Sequence, residues 1–114
     1  MTKKRAGGEL VAETLASLGV TEIFALHGSH LDPLFIACAN YNIRLTDTRH
    51  EAAAGHAADG YARASNGRLG VCATTAGPGF TNSLTAITNA YLDKIPVLFI
   101  SGAASWRVSV SRML

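Results

Sequence analysis

The sequence predicts an α/β fold, a parallel sheet with helices on both faces, and three observations carry that prediction. Short apolar or β-branched runs at 22–26, 43–46, 69–74 and 95–100 alternate with segments of helical spacing or alanine-rich composition. Turn chemistry separates them: Gly19, Asn66-Gly67 and Ala76-Gly77-Pro78-Gly79. The resulting order, αβαβαβαβ, calls for crossover connections between parallel strands, which are right-handed.

The elements follow in order. Leu10, Val11, Thr14, Leu15 and Leu18 recur at helical spacing, and Gly19 is placed to end that helix. Residues 22–26 form a strand, and His27, Gly28, Ser29 and His30 a loop. Residues 31–40 read as a helix with Pro33 in its first turn, where a missing N–H costs nothing. A second strand covers 43–46. The helix over 51–65 stops at Asn66-Gly67, a third strand covers 69–74, and a continuous helix runs over 80–92. The run 95–100, entered through Pro96, predicts a fourth strand buried on both faces. A doubly wound sheet usually has more strands, so this four-strand sheet is expected to be incomplete, with an unpaired edge at its fourth strand.

At 114 residues the chain has room for one domain with a real core, and 48 % apolar residues exclude a disordered tail. A net charge of +2, with Lys3, Lys4 and Arg5 clustered at the start, leaves no basic face for nucleic acid. No apolar run approaches the length of a membrane span, and the first residues lack the apolar stretch of a secretion signal. Cys38 and Cys72 sit apart in apolar segments and fit neither a zinc spacing nor a disulfide framework. They are expected to be buried and reduced, in a cytoplasmic protein.

Ligands of parallel α/β sheets bind beyond the C-terminal strand ends, near the switch in strand order. That rule selects the loops 27–30, 47–51 and 75–79. Glu51 opens a helix, where a carboxylate is either a favourable partner of the helix dipole or a buried acid that holds or protonates a ligand. Gly77-Pro78-Gly79 is either a tight turn with Pro in the first helical position or a place where backbone approaches a ligand. His27 and His30 are candidate acid–base groups near neutral pH. Zinc would need more ligands than His50 and His56 offer, and both are expected to face solvent or pack on helices. Asp59 and Arg63 form an i,i+4 pair of minor value. The small residues of the 51–65 helix suggest close packing against a partner domain, with a packing reason for Gly60.

Taken together, Arg49–Ala64 (RHEAAAGHAADGYARA) and Gly70–Gly102 (GVCATTAGPGFTNSLTAITNAYLDKIPVLFISG) closely resemble the N-terminal pyrimidine-binding domain of thiamine-diphosphate-dependent enzymes. The pattern is that of the acetolactate synthase group, and the loop ALHGSH (Ala25–His30) is most similar to benzaldehyde lyase. DTRHE and GAAS also resemble 2-hydroxyacyl-CoA lyases. The resemblance spans about 7–105 and implies strand order 2-1-3-4. It implies that Glu51 hydrogen-bonds N1′ of the cofactor's aminopyrimidine, favouring the tautomer that takes up the thiazolium C2 proton. It also implies cofactor contacts for Gly77, Pro78, Gly79 and Asn82, a substrate-facing and proton-relaying role for His30, and a cofactor-side place for His27, where many relatives carry proline. The implied assembly is a dimer or tetramer, with thiamine diphosphate held between this domain and the diphosphate-binding domain of a related subunit.

The sequence departs from the family after Ser105. It holds no glutamine and no Gly-Asp-Gly motif for Mg²⁺, so no metal ligand is expected in this chain. The expectation is a truncated or frame-shifted chain, with a partial pyrimidine domain at 1–105 and a divergent tail at 106–114. Its relatives' chemistry would be that of a C–C lyase or carboligase acting on 2-hydroxy ketones or 2-keto acids. The chain alone is expected to be inactive. The alternatives are a non-catalytic module that pairs with a full-length relative, or a generic nucleotide-binding domain, against which the missing G-x-G-x-x-G fingerprint speaks.

Overall fold

The computed structural model describes residues 4–105. The tail at 106–114, with Trp106, Val108 and Val110, lies outside the described residues, as does Lys3 of the basic cluster. The elements are α1 (Gly7–Ser17), β1 (Glu22–Ala25), a 3-10 turn (Ser29–Leu31), α2 (Asp32–Asn40), β2 (Arg44–Asp47), α3 (Glu51–Ala64), β3 (Gly70–Thr74), α4 (Pro78–Asn82), α5 (Leu84–Leu92) and β4 (Val97–Ser101). All strand pairs are parallel and the sheet order is β2-β1-β3-β4. The expected α/β class, sheet order and strand count are therefore present, with the switch point between β1 and β3.

Strand alternation sorts the core into two layers. Ile23, Ala25, Val71 and Ala73 point to one face, where Ala12 and Leu15 of α1 and Leu34, Ala37 and Cys38 of α2 cover them. Phe24, Cys72, Val97 and Phe99 point to the other, where Ala54 and Ala58 of α3 pack on them. β3 is central, and all five of its residues are buried. Asn66 and Gly67 take the left-handed conformation after α3, with φ of 55° and 82°, as their turn chemistry predicts.

Three expectations need correction. β4 is not buried on both faces. It is the edge strand, each of its residues is partly or fully exposed, and Leu98 is 38 % accessible. The stripe on α1 is only half a core face. Ala12 and Leu15 are buried, whereas Leu10, Val11 and Leu18 stay exposed and line a shallow groove with Leu98. That groove exists because α1 lies beside the half-covered outer strand. The 80–92 helix is two helices. The chain enters at Pro78 and breaks at Ser83, whose buried hydroxyl donates to the Phe80 carbonyl at 2.6 Å and the Gly79 carbonyl at 3.3 Å. Such back-bonding competes with the regular ladder and bends a helix.

The small residues of α3 act within the chain. A Cβ at Gly55 would lie 2.5 Å from the Cβ of Ala86 on α5 and 3.1 Å from the Phe99 ring, so only glycine lets the helices meet there. Gly60, by contrast, is exposed with open space around it, and the packing reason expected for it is not found within the chain. The Asp59–Arg63 pair is also more than an exposed surface pair. Asp59 is buried, and Arg63 continues to Asp93 at 2.7 Å, tying α3 to the end of α5.

Two outcomes follow from this packing. Gly55→Val should lower stability in chemical denaturation by about 1–3 kcal/mol, because it forces α3 and α5 apart. Cys38 and Cys72 are fully buried, and burial raises both thiol pKa values, Cys72 to about 12. Neither should react with a thiol reagent at mildly alkaline pH in the native protein, while denaturant should release both for labelling.

Candidate functional site

The C-terminal ends of β1, β2 and β3 and the starts of α3 and α4 meet at one edge of the sheet, as the strand order requires. The β2–α3 loop is stitched to β1. The backbone N–H of Thr48 donates to the Ala25 carbonyl at 2.9 Å, and its hydroxyl donates to the same carbonyl at 3.2 Å. His50 then caps α3: its backbone is extended and its Nδ1 accepts from the Ala52 N–H at 3.1 Å. His50 is exposed, as the sequence reading expects, and its capping of α3 is what that reading missed. Its consequence is that Glu51 occupies the first helical position.

Glu51 is 8 % accessible, so the carboxylate that opens α3 is buried. Its Oε2 accepts from Nδ2 of Asn82 at 3.0 Å. Its Oε1 would lie 3.5 Å from a Cβ at Gly79, and that Cβ would also meet the Thr75 methyl at 2.7 Å. The glycine therefore lets the start of α4 lie directly against Thr75 and Glu51, a contact that any side chain would push apart. Asn82's hydrogen bond, opposed by burial and aided by the charge of His50, holds the Glu51 carboxyl below its ordinary value of 4.5. The carboxylate is thus an acceptor at neutral pH, and it in turn adds to the upward shift that burial gives Cys72.

The remaining candidates sort into three places. Gly79 and Asn82 lie with Glu51. Gly77 and Pro78 are exposed and line the neighbouring open cleft of about 730 Å³, together with Phe80, Thr81 and the 101–104 segment. Gly77 has φ 64° and ψ −120°, a conformation closed to residues with a Cβ, which lets the chain turn into Pro78. His30 sits on the same edge, beside the chain that leaves β4: a Cβ at Gly102 would be 2.7 Å from His30 Cβ and 3.3 Å from the Ala76 nitrogen. His27 goes to the α2 side. Its Nε2 pairs with Oδ1 of Asp32 at 2.7 Å, and its ring lines a small cavity with Ala25, Phe35, Leu45 and Asp47. Thr75, which packs on Gly79 beside Glu51, was not singled out in the sequence; the threonine of a turn carries no pattern that would find it.

This geometry gives a pH signature. A carboxyl whose folded pKa lies below its unfolded value adds stability above the unfolded value and loses it as pH falls through the folded one. Asn82→Ala should move the Glu51 titration up toward 4.5, and the dependence of stability on pH in the acid range should become shallower. Carboxyl-detected NMR and denaturation at a series of pH values check both.

Comparison with known proteins agrees with the motifs. Residues 5–111 match the family model described as thiamine pyrophosphate enzyme, N-terminal TPP binding domain. The chain is 54 % identical over 101 residues to 2-hydroxyacyl-CoA lyase 2 of Danio rerio, covering 89 % of this chain and 16 % of that protein. It is 52 % identical over 101 residues to the Homo sapiens protein of the same name, with the same coverage. It is 44 % identical over 103 residues to the acetolactate synthase large subunit of Lactococcus lactis, covering 90 % of this chain and 18 % of that protein. The chain thus spans about a sixth of the length of the curated relatives it matches. With a four-strand parallel sheet in the order β2-β1-β3-β4, a buried acid at the head of α3 and a match over nearly its whole length, the chain belongs to the thiamine pyrophosphate enzymes, in their N-terminal TPP-binding domain.

Proposed function

We propose that this chain supplies the aminopyrimidine side of a thiamine diphosphate site in an enzyme that makes or breaks a C–C bond beside a carbonyl. The names of its relatives, 2-hydroxyacyl-CoA lyase and acetolactate synthase, point to lyase or carboligase chemistry on 2-hydroxyacyl, 2-hydroxy ketone or 2-keto acid substrates. One observation carries the reading: Glu51 is a buried carboxylate at the head of α3, held ionised by Asn82 on one oxygen, with the bare backbone of Gly79 packed beside the other.

The residues present fit the pyrimidine end of the cofactor. A carboxylate held ionised accepts a hydrogen bond from a protonated ring nitrogen. When bound, thiamine diphosphate supplies the carbon nucleophile and the electron sink. Glu51 then holds a proton at the ring nitrogen, Asn82 fixes the carboxylate, and His30 is positioned as a proton relay on the substrate side. His27, paired with Asp32, is a more remote candidate. Mg²⁺ and the diphosphate are assigned to a domain other than this one, because the sequence has no Gly-Asp-Gly motif. That domain would come from the same or a related subunit. Buried reduced thiols suit a cytoplasmic setting, and among the described residues no helix is long and apolar enough to cross a membrane.

A second reading has its own observation. On the outer side of the α3–α5 pair, His56, Leu84, Thr85, Thr88 and Leu92 line an open groove of about 410 Å³, beside exposed Ala53 and Gly60. A face of small and apolar residues suits a helical partner, and on it the chain would act as a binding module for a full-length relative.

Calorimetry with thiamine diphosphate and Mg²⁺ separates these readings. Binding is expected when the chain is mixed with the diphosphate domain of a relative, and Glu51→Gln should reduce cofactor C2–H exchange in that mixture by roughly 10²–10⁴-fold. Association with the relative without cofactor binding would favour the binding module, and neither event would overturn both.

A further inference from the structure

Glu51 and Asn82 do not meet in isolation. About two turns further along α3, Asp59 is 5 % accessible and fully engaged. Its Oδ2 accepts from Nδ2 of Asn89 at 2.7 Å and its Oδ1 from Nε of Arg63 at 3.0 Å, and Arg63 reaches on to Asp93 at 2.7 Å. Asn89 follows Asn82 by about two turns along the α4–α5 rod, so each pair lies roughly 10–12 Å from its counterpart along the axes. Between them Gly55 meets Ala86 with no room for another carbon. The two helical rods therefore touch at three levels: Glu51 with Asn82, Gly55 with Ala86, and Asp59 with Asn89.

We propose that Asp59 and Asn89 are a positioning pair, which sets the register of α4–α5 against α3 and thereby holds the Asn82 amide on Glu51. The catalytic meaning of that placement rests on the cofactor reading above, whereas the placement itself does not. The physical argument is an asymmetry between the two polar levels. Both amides are exposed and both carboxylates buried, but the upper level has a single tie, Asn82 on Glu51. A single neutral donor at such a place does not fix a helix. The lower one has two: Asp59 accepts from Asn89 and from Arg63, and Arg63 reaches on to Asp93 at the end of α5, so leaving this buried acid unpaired is costly. The Gly55–Ala86 contact permits approach but is smooth, and it leaves sliding along the axis unopposed. The doubly tied Asp59 level opposes sliding most, and the break at Ser83 makes such a restraint necessary, because a bent rod has no unique register of its own.

The test uses the full chain without cofactor, so cofactor binding cannot confuse it. Two signals are read by NMR: the titration midpoint of the Glu51 carboxyl, and exchange of the Asn82 side-chain amide with water. The other ionisable groups at Glu51 are His50, next to it in the chain, and the Cys72 thiol, which stays protonated in the acid range. Asn82→Ala gives the full upward shift for a lost amide. Asn89→Ala, at an exposed position and so expected to fold, should give at least half that shift and faster Asn82 exchange. The double exchange Asp59→Asn with Asn89→Asp keeps a donor and an acceptor across the level and should restore both signals. Val20→Ala, a destabilising change in the α1–α2 core, should move neither. An unchanged midpoint in Asn89→Ala, or a double exchange that does not restore it, would overturn the proposal and leave Asp59 a purely structural residue. Asn89→Ser, which keeps a shorter donor, should give a graded shift, and it decides the matter if the alanine variant does not fold. Loss of cofactor binding with these signals intact would count against the functional reading alone.

Discussion

The close approach of α3 to α5 is the constraint on which the arrangement depends. It is made possible by the missing side chain at Gly55, which admits Ala86. Had that position carried any Cβ, the helices would stand further apart, and neither amide on the α4–α5 rod would reach its carboxylate. A hydrogen bond of about 3 Å tolerates only a few tenths of an ångström before it weakens. The chemistry at Glu51 is therefore set by a packing contact one turn away, in a region with no polar groups of its own. The sheet contributes from below, where Phe99 and Cys72 form the floor on which α3 rests.

Electrostatics then assigns the acid its state. A carboxylate at the head of a helix, capped by its neighbour His50 and given a donor by Asn82, stays ionised although it is largely out of water. Burial alone would push it the other way. Glu22 shows the same balance at the opposite end of β1, where Arg44 and then Thr46 hold it below the ordinary range. The difference lies in the partner. Glu22 is neutralised by a cation, whereas Glu51 has a neutral amide on one oxygen and so keeps its charge available to something else.

Much of the fold was legible because local and global signals agree. The apolar runs marked the strands, Asn66-Gly67 marked the end of α3, and the Ala76–Gly79 turn marked the approach to α4, which starts two residues before the helix read from the sequence. Two of the misreadings share one physical cause: periodicity reports that a face is apolar, not what covers it. Leu10, Val11 and Leu18 form a proper helical stripe, yet α1 lies at the side of β4, where the cover thins out. The run around Val97–Ser101 reads as doubly buried, but an outer position in the sheet leaves it half-covered. At the site, Glu51, Gly79 and Asn82 were visible through their motif and fell together. Asp59 and Asn89 were not, because a buried acid and its amide partner look in sequence like any polar pair on a helix surface. The spacing of 51 to 59 against 82 to 89 was the available signal, and it becomes meaningful only once the two helices are known to lie side by side.

The order of pairing in the sheet has a consequence for how the molecule comes into being. β1 pairs with β2 through a short crossover, but its other neighbour, β3, arrives only after α3 has been made. A chain growing from its N-terminus can thus close α1, β1, α2 and β2 into a half-sheet while Glu51 is still unstructured. Contacts between residues distant in sequence form slowly, since the intervening loop must first be closed. The carboxylate can therefore acquire its amide partner only after β3 and α4 have been made. Until β3 arrives the inner edge of β1 stands open, and an open inner edge is a place for pairing with the wrong strand.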